Sequence, residues 1–243
     1  MSSPAFIRTE RLVGAEAMDR ISRARVLLFG VGGVGSWCAE GLVRSGLRHL
    51  TIVDSDDVAE SNINRQLMAT VHSVGLPKVE ALKERLLQIN PEADILALKQ
   101  TYSDGNYADF GMDGYDYIID AIDSLKDKAS LIVRATATSA RFYSSMGAAL
   151  KTNPQKVRVA EFWEVRGCPL GSALRKKLRR EKTLPSKPFL CVYDEEVLEN
   201  KGDAAEEPDH GKAVVNGTMA HITAIFGFTL SGLVLQDILD YDK

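Results

Sequence analysis

The stretch RVLLFGVGGVGS, residues 25–36, decides the fold. Its apolar half is typical of a buried strand, and the pattern that follows predicts a helix over residues 36–45, stopped by Gly46. Between strand and helix the sequence matches the pattern G-x-G-x-x-G, at Gly30, Gly32 and Gly35. Glycines allow a tight turn and close backbone approach, and a helix N-terminus attracts anionic oxygens. The stretch therefore predicts a strand–loop–helix unit that cradles phosphate groups.

Strand and helix patterns alternate beyond this unit. Strands are predicted at residues 49–54, 94–100, 115–120 and 141–146, and helices at residues 77–90 and 124–138. This order predicts an α/β fold, Rossmann-like and doubly wound, with a mainly parallel sheet. Residues 156–162 alternate in polarity, which predicts continuation by antiparallel strands. Residues 175–210 are charged and predict an irregular, mobile excursion before an apolar C-terminal helix.

The length of 243 residues suits one large domain. We expect a single domain over residues 1–243. It would comprise a nucleotide-binding core at about 20–150, a substrate-side region with the charged excursion at about 151–212, and a C-terminal helix at about 213–240.

Composition limits the classes of function. The net charge of −3 excludes a uniformly basic coat for nucleic acid, although a local basic patch remains open. The three cysteines, Cys38, Cys168 and Cys191, form no CxxC pair, which argues against a four-cysteine zinc site and a disulfide framework. The first 25 residues contain no apolar signal region, so a cytoplasmic location is predicted.

Residues 213–236 contain no Asp, Glu, Lys or Arg. Such a segment is long enough to cross a bilayer, yet it is interrupted by polar residues and glycines. We interpret it as a core helix or dimer interface. Peripheral contact with a membrane is the disfavoured alternative and stays open.

Polar residues follow the second predicted strand in a series that a dehydrogenase does not need. The series is Asp54, Asp56, Asn62, Arg65, Gln66 and Lys78. Asp54 stands where an acid can bind ribose hydroxyls, while Arg and Lys can neutralise the charge on a departing pyrophosphate. Asp120 ends a predicted strand, and carboxylates such as Asp123 at that edge can hold Mg²⁺ against phosphates. The series favours a triphosphate over a dinucleotide, which remains the weaker alternative. Each residue taken singly is also compatible with a surface salt bridge.

The motifs GVGGVGS, IVDSDDV, SNINRQ, GLPK and IIDAID together resemble the E1-like adenylating enzymes across residues 8–150. That superfamily activates ubiquitin-like proteins and the sulfur carriers for molybdopterin and thiamine. The resemblance implies an ATP site made by Gly30, Gly32, Gly33, Gly35, Ser36, Asp54, Asp56, Asn62, Arg65, Gln66 and Lys78. It assigns catalytic roles to Arg65, Lys78, Asp123 and Arg11. Asp123 would hold Mg²⁺, and Arg11 would reach into the neighbouring subunit of a homodimer.

A narrower resemblance concerns the segments GVGSWCAEGLVRSG, LRKKLRREK, CVYDEE and ITAIFGFTLSG. They resemble the branch that acts on N6-threonylcarbamoyladenosine at position 37 of tRNA. This implies adenylation of the substrate carboxyl by ATP and closure of a ring, with net loss of water. The loop SMGAALKTNP departs from the branch. A monovalent cation and a cysteine desulfurase or sulfur-acceptor partner stay open.

Two rival functions remain beside this one, in addition to the dinucleotide-dependent oxidoreductase already disfavoured by the polar series. The first is adenylation of the C-terminal glycine of a ubiquitin-like sulfur carrier, which the missing CxxC pairs disfavour, so no zinc is expected. The second is a binding module that has lost its activity. It is disfavoured because Arg65, Lys78 and Asp123 are all retained.

A tRNA partner requires a surface for phosphates. The candidates are the six cations of one basic run: Arg175, Lys176, Lys177, Arg179, Arg180 and Lys182. A solvated helix face is the alternative. The acidic stretch 194–209 follows and would restrict where RNA binds. Phe162 and Trp163 could stack on a base, but packing in the core is the favoured interpretation.

Overall fold

A computed structural model describes residues 4–202 and 216–240. The helices are α1 (Ile7–Val13), α2 (Ala15–Arg23), α3 (Gly35–Arg44), α4 (Lys78–Ile89), α5 (Leu125–Thr136), α6 (Pro169–Glu181) and α7 (Ala220–Leu239). The strands are β1 (Arg25–Phe29), β2 (His49–Val53), β3 (Asp94–Leu98), β4 (Tyr117–Asp120), β5 (Arg141–Ser145), β6 (Arg158–Glu161) and β7 (Leu190–Tyr193).

These strands form one sheet of seven in the order β3-β2-β1-β4-β5-β7-β6. Every pairing is parallel except that of β6 with β7. The predicted doubly wound α/β fold with an antiparallel continuation is therefore confirmed. The strand order reverses between β1 and β4, and such a switch point opens a crevice at the carboxyl ends of the strands.

Apolar clusters cover both faces of the sheet. One contains Leu42 of α3, Leu82 of α4 and Phe226 of α7. The other contains Leu131 of α5 and Leu174 of α6. The strands between them are buried on both faces, which explains why β1 and β4 read as continuous apolar runs.

The C-terminal helix α7 packs against α3 at close range. A Cβ at Gly227 would lie 2.5 Å from the Val34 carbonyl oxygen and 2.8 Å from the Cys38 nitrogen, so only glycine fits there. Ile222, Phe226, Leu230 and Val234 are fully buried, while Phe228 on the opposite side is 46% exposed. By length and composition alone α7 could cross a membrane, a test that core helices of soluble proteins also pass. Its buried face is that of a core helix, as the favoured interpretation held.

Two expectations were wrong: the irregular course of residues 175–210 and the start of the C-terminal helix. Residues 175–181 belong to the regular helix α6, and β7 lies within the supposed irregular excursion. Three exposed cations on α6, Lys176, Arg179 and Arg180, obscure its narrow apolar stripe in the sequence, and β7 has only four residues. The C-terminal helix begins at Ala220 rather than near residue 213. Residues 203–209 of the acidic stretch and residues 213–215 lie outside the described residues.

Candidate active site

A cavity of about 720 Å³ lies at the carboxyl ends of β1, β2 and β4, at the switch point. Most of the predicted site residues line it: Gly30, Gly32, Gly33, Asp54, Asp56, Asn62, Arg65, Gln66, Lys78 and Asp123. The fold thus brings together residues that are up to 93 positions apart in the chain, from Gly30 to Asp123. Gly35, Ser36, Arg11 and the six cations of the basic run lie outside the lining.

The glycine loop has no room for side chains at two positions. Gly30 has φ +84°, and a Cβ there would lie 2.7 Å from the Ala121 carbonyl oxygen. A Cβ at Gly35 would overlap the carbonyl oxygen of Gly30. No side chain caps the N-terminus of α3. A helix N-terminus without a cap favours an anion, and here the Ser36 N–H already donates to the Gly32 carbonyl oxygen at 3.1 Å.

Ser36 braces this loop from behind. It is fully buried, its hydroxyl donates to the Gly32 carbonyl oxygen at 2.7 Å and accepts from the Leu67 nitrogen at 3.2 Å. The Ser36 hydroxyl therefore links the glycine loop to the segment that follows Gln66, and its ligand contact stays a prediction.

Asp54 at the end of β2 uses both carboxylate oxygens to fix backbone. Oδ2 accepts from the Val31 nitrogen at 2.8 Å, and Oδ1 accepts from the Asp56 nitrogen at 3.0 Å. Burial raises the pKa of Asp54 above its ordinary value, against the opposing charge of Lys78. The residue holds the glycine loop and the polar series at a fixed separation.

Lys78 is the first residue of α4 and is only 4% exposed. Its Nζ lies 2.7 Å from Oδ2 of Asp56, a half-exposed carboxylate. A buried ammonium group facing a cavity is a strong point charge in a low-dielectric setting, so its field acts on any anion that enters.

A turn over residues 60–66 presents the other polar groups. Asn62 is buried, and its Oδ1 accepts from the Ala59 nitrogen at 3.1 Å. Arg65 donates from Nη1 to the Ser61 carbonyl oxygen at 2.9 Å. Within the described residues, the Gln66 Oε1 is buried without a hydrogen-bond partner. A buried polar atom without a partner is costly, and Gln66 is one of the residues that line the cavity.

Asp120 and Lys128 form a fully buried ion pair beside the cavity, with Nζ 2.8 Å from Oδ2. The Ser144 hydroxyl donates to the same carboxylate at 2.7 Å. Oδ1 of Asp120 accepts from the Ile122 nitrogen at 3.0 Å, and Lys128 donates to the Ile122 carbonyl oxygen at 3.0 Å. Ile122 is thus held at both backbone groups, and the exposed Asp123 follows it directly.

Sequence reasoning missed a second set of lining residues, from three regions of the chain. They follow β3 (Gln100, Thr101 and Tyr102), follow β5 (residues 145–151) and open α6 (Cys168, Pro169 and Leu170). The first two sets stand after parallel strands, and this position is the signal that could have found them. The third depends on tertiary packing.

Glu196 secures the loop that follows β5. Its Oε2 accepts from the backbone nitrogens of Thr152 and Asn153 at 2.6 and 3.1 Å, and Lys156 lies 3.3 Å from Oε1. These contacts lower the pKa of Glu196 to about 2. Lys151 in this loop is nearly buried and donates to the Glu196 carbonyl oxygen, and burial lowers its pKa.

Cys38, Cys191 and Arg11 lie outside the cavity lining, whereas Cys168 is part of it. Cys38, Cys168 and Cys191 are buried, and burial raises the pKa of the Cys38 and Cys191 thiols. Arg11 is exposed on α1 and does not line the cavity of its own chain. Over residues 4–202 and 216–240 there is no cluster of three or more His, Cys, Asp or Glu suited to a metal.

Comparison with known proteins places this geometry in context. The chain is 35% identical over 241 residues to the tRNA threonylcarbamoyladenosine dehydratase of Bacillus subtilis, covering 96% of this chain and 94% of that protein. The crystal structure of the Escherichia coli tRNA N6-threonylcarbamoyladenosine dehydratase in complex with ATP matches with a TM-score of 0.87 at 32% identity, covering 98% of this chain and 95% of that one. The chain is 30% identical over 140 residues to the molybdopterin-synthase adenylyltransferase of Salmonella typhimurium, and this match covers 58% of this chain and 55% of that protein. The sequence model of the ThiF family matches residues 7–243, and the chain belongs to the ThiF family.

Proposed function

We propose that this protein is an ATP-dependent tRNA threonylcarbamoyladenosine dehydratase. The observation that carries the proposal is the cavity at the switch point, where the glycine loop, Asp54, Arg65, Lys78 and Asp123 converge. Similarity over nearly the whole chain to dehydratases of this name, one of them solved with ATP, supports it. The alternative, activation of a sulfur-carrier protein, rests on a likeness that covers little more than half of the chain.

The reaction consists of two displacements. The substrate carboxylate attacks the α-phosphorus of ATP and pyrophosphate leaves. The carbamoyl group of the same nucleoside then attacks the activated carboxyl carbon, AMP leaves, and a ring closes with net loss of water. The second step is intramolecular, so proximity favours it and the protein needs no nucleophile of its own. Cys38 and Cys191 lie outside the cavity lining, and the cavity-lining Cys168 is buried, with its Sγ accepting from the Gly171 nitrogen at 3.5 Å.

The charges of the cavity suit the first displacement. Lys78 and Arg65 place positive charge beside the glycine loop, where negative charge develops on the phosphates as pyrophosphate departs. The α3 N-terminus adds backbone N–H donors.

Mg²⁺ fits the acidic side of the cavity. It requires oxygen ligands and is commonly held by one or two carboxylates together with phosphates and water. Asp123 and Asp127 both line the cavity beside the end of β4, so Asp123 would hold the ion with Asp127 nearby. Bound there, Mg²⁺ would neutralise phosphate charge.

We propose further that the enzyme is a homodimer in which Arg11 completes the site of the partner subunit. Arg11 is exposed on α1 and absent from the cavity lining of its own chain. A mixture of R11A and K78A chains tests this. Each variant alone is expected to be inactive, and mixing is expected to restore activity because a mixed dimer contains one intact site. No recovery on mixing contradicts the arrangement.

The proposed activity is tested with tRNA that carries N6-threonylcarbamoyladenosine. The protein, ATP, Mg²⁺ and this tRNA are incubated, the tRNA is digested, and the nucleoside mass is followed together with AMP release. We expect the mass of the modified nucleoside to fall by one water, with one AMP formed per ring. Unmodified tRNA is the control for background ATP hydrolysis. An unchanged nucleoside with no AMP formed contradicts the proposal, and ATP-dependent modification of a carrier ending in Gly-Gly supports the alternative.

A further inference from the structure

Helix α6 leads outward from the cavity. Pro169 and Leu170 in its first turn line the cavity, whereas its cations lie in the second half of the helix. An α-helix rises about 1.5 Å per residue, which places Arg179 about 14 Å along the axis from Leu170. A polymer with one unit in the cavity would have neighbouring units within reach of this helix.

The structure divides the six cations of the basic run into two kinds. Arg175 donates from Nη1 to the Phe162 carbonyl oxygen at 3.1 Å, and Lys177 pairs with Glu181 at 2.6 Å, so both serve the local structure; the exposed Arg180 also lies 3.5 Å from this Glu181 carboxylate. The other four are exposed: Lys176, Arg179, Arg180 and Lys182. These four cations and Trp163 are called the α6 cation face below. A helix dipole accounts for cations in the last turn, but not for Lys176 one turn earlier.

Arg179 is held in place by a row of aromatic rings. Its guanidinium carbon lies 4.9 Å from the centroid of the Trp163 ring, which is 37% exposed. Trp163 contacts the fully buried Phe162 at 5.1 Å between centroids, and Phe162 stacks on Phe189 at 4.9 Å. The row therefore runs from the core to the surface and ends at a cation. A cation–π contact of this length restricts the guanidinium, so less conformational entropy is lost when it binds an anion.

We propose that the α6 cation face docks the RNA backbone of the substrate, with Arg179 as a pre-organised phosphate contact. This inference rests on the proposed function, since tRNA is taken as the partner. The chain has a net charge of −3, so a concentrated cationic helix next to the cavity is a local feature rather than part of a basic surface. When these side chains contact RNA phosphates, they release the counterions condensed on the RNA, and this release favours binding of the RNA backbone.

The test measures tRNA binding against salt concentration for the full-length protein and five variants. R179A removes the charge, W163L removes the ring that holds it, and W163F keeps a ring. R180A is the matched control, because Arg180 lies on the same helix, is 77% exposed and has no ring partner among the contacts of the described residues. The fifth variant combines R179A with W163L. Circular dichroism checks that each variant folds.

We expect R179A to weaken tRNA binding about fivefold or more. The salt slope, which is the slope of the logarithm of the binding constant against the logarithm of the salt concentration, is expected to become shallower by about 0.7–0.9. W163L is expected to weaken binding about two- to fivefold because the ring that orients Arg179 is lost. The salt slope is expected to stay unchanged because no charge is removed. W163F is expected to retain most of the affinity because it keeps a ring. R179A with W163L is expected to bind no worse than R179A alone. R180A is expected to reduce the salt slope as R179A does, with a smaller loss of affinity.

Two outcomes overturn the inference. One is wild-type affinity in both R179A and W163L, and the other is additive losses in the double variant. The nucleoside assay distinguishes failure of this docking inference from failure of the proposed function. If the wild-type protein dehydrates the nucleoside and R179A keeps the same kcat/KM for tRNA, the docking face is wrong and the function stands. If the protein binds tRNA through Arg179 but leaves the nucleoside unchanged, the function is wrong and the docking face stands.

Discussion

The carboxylate of Asp120 and the ammonium of Lys128 meet at 2.8 Å, and both side chains are fully buried. Together they hold both backbone groups of Ile122, the residue before Asp123. A buried ion pair is weak evidence for net stability because desolvation offsets the attraction. Its position at the switch point indicates that the pair fixes the loop that carries a candidate magnesium ligand.

Removing one partner of this ion pair is expected to destabilise the fold strongly. K128M leaves the Asp120 carboxylate buried without its counter-charge, so we expect a loss of about 3–5 kcal/mol in the free energy of unfolding, measured by urea denaturation. The double variant D120N/K128M removes both charges at similar volume and is expected to recover much of that loss. A K128M protein as stable as the wild type contradicts the assignment of a buried pair.

Lys78 is expected to matter for turnover far more than for folding. Its partner Asp56 is half exposed, so water can solvate that carboxylate once Lys78 is gone. K78A is expected to lower the rate of AMP formation on the order of 10²–10³-fold, the usual effect of losing one electrostatic stabiliser. K99A is the matched control, since Lys99 pairs with Asp57 at 2.7 Å at an exposed position outside the cavity. Equal activity in K78A and K99A contradicts the site.

Sequence patterns predicted the nucleotide half of the fold because apolar strands buried on both faces and glycines at a tight turn are local signals. β1, β2 and β4 follow from such runs. The pairing of Asp120 with Lys128, eight positions away and across a loop, has no local signal. The resemblance implied a ligand contact for Ser36, which stays a prediction, and nothing in the sequence indicated that its hydroxyl accepts from the Leu67 nitrogen. The role of Trp163 depends on its contact with Arg179 of α6, 16 positions later in the chain, which sequence spacing does not reveal.

Acid is expected to loosen the loop after β5 through Glu196. The pKa of this carboxyl is lowered from 4.5 to about 2 because it accepts from the backbone nitrogens of Thr152 and Asn153. A carboxyl with a lowered folded-state pKa stabilises the fold above its unfolded pKa, and that contribution is lost as pH falls from about 5 towards 2. E196Q is therefore expected to lower the Tm at pH 7 and to show a smaller further loss on acidification than the wild type.

Thermal denaturation from pH 7 to pH 3 measures this difference. E199Q provides the control, because Glu199 is exposed on the same segment. The Tm difference between the wild type and E196Q is expected to narrow as the pH falls, while E199Q follows the wild type throughout. A difference that stays constant over this range shows that Glu196 does not stabilise the loop through its charge.

The glycine loop offers the sharpest steric comparison. A Cβ at Gly35 would overlap the Gly30 carbonyl oxygen, whereas a Cβ at Gly32 has nothing nearer than the Gln66 Nε2 at 3.9 Å. We expect G35A to displace the loop from α3, to cost about 1–3 kcal/mol or more in unfolding free energy, and to abolish measurable ATP binding. G32A is expected to fold like the wild type and to weaken ATP binding only through the methyl group it adds to the cavity wall. Calorimetric titration with ATP and urea denaturation test both variants. If G35A binds ATP as G32A does, the loop does not require the close contact between Gly30 and Gly35, and the phosphate cradle is wrongly assigned.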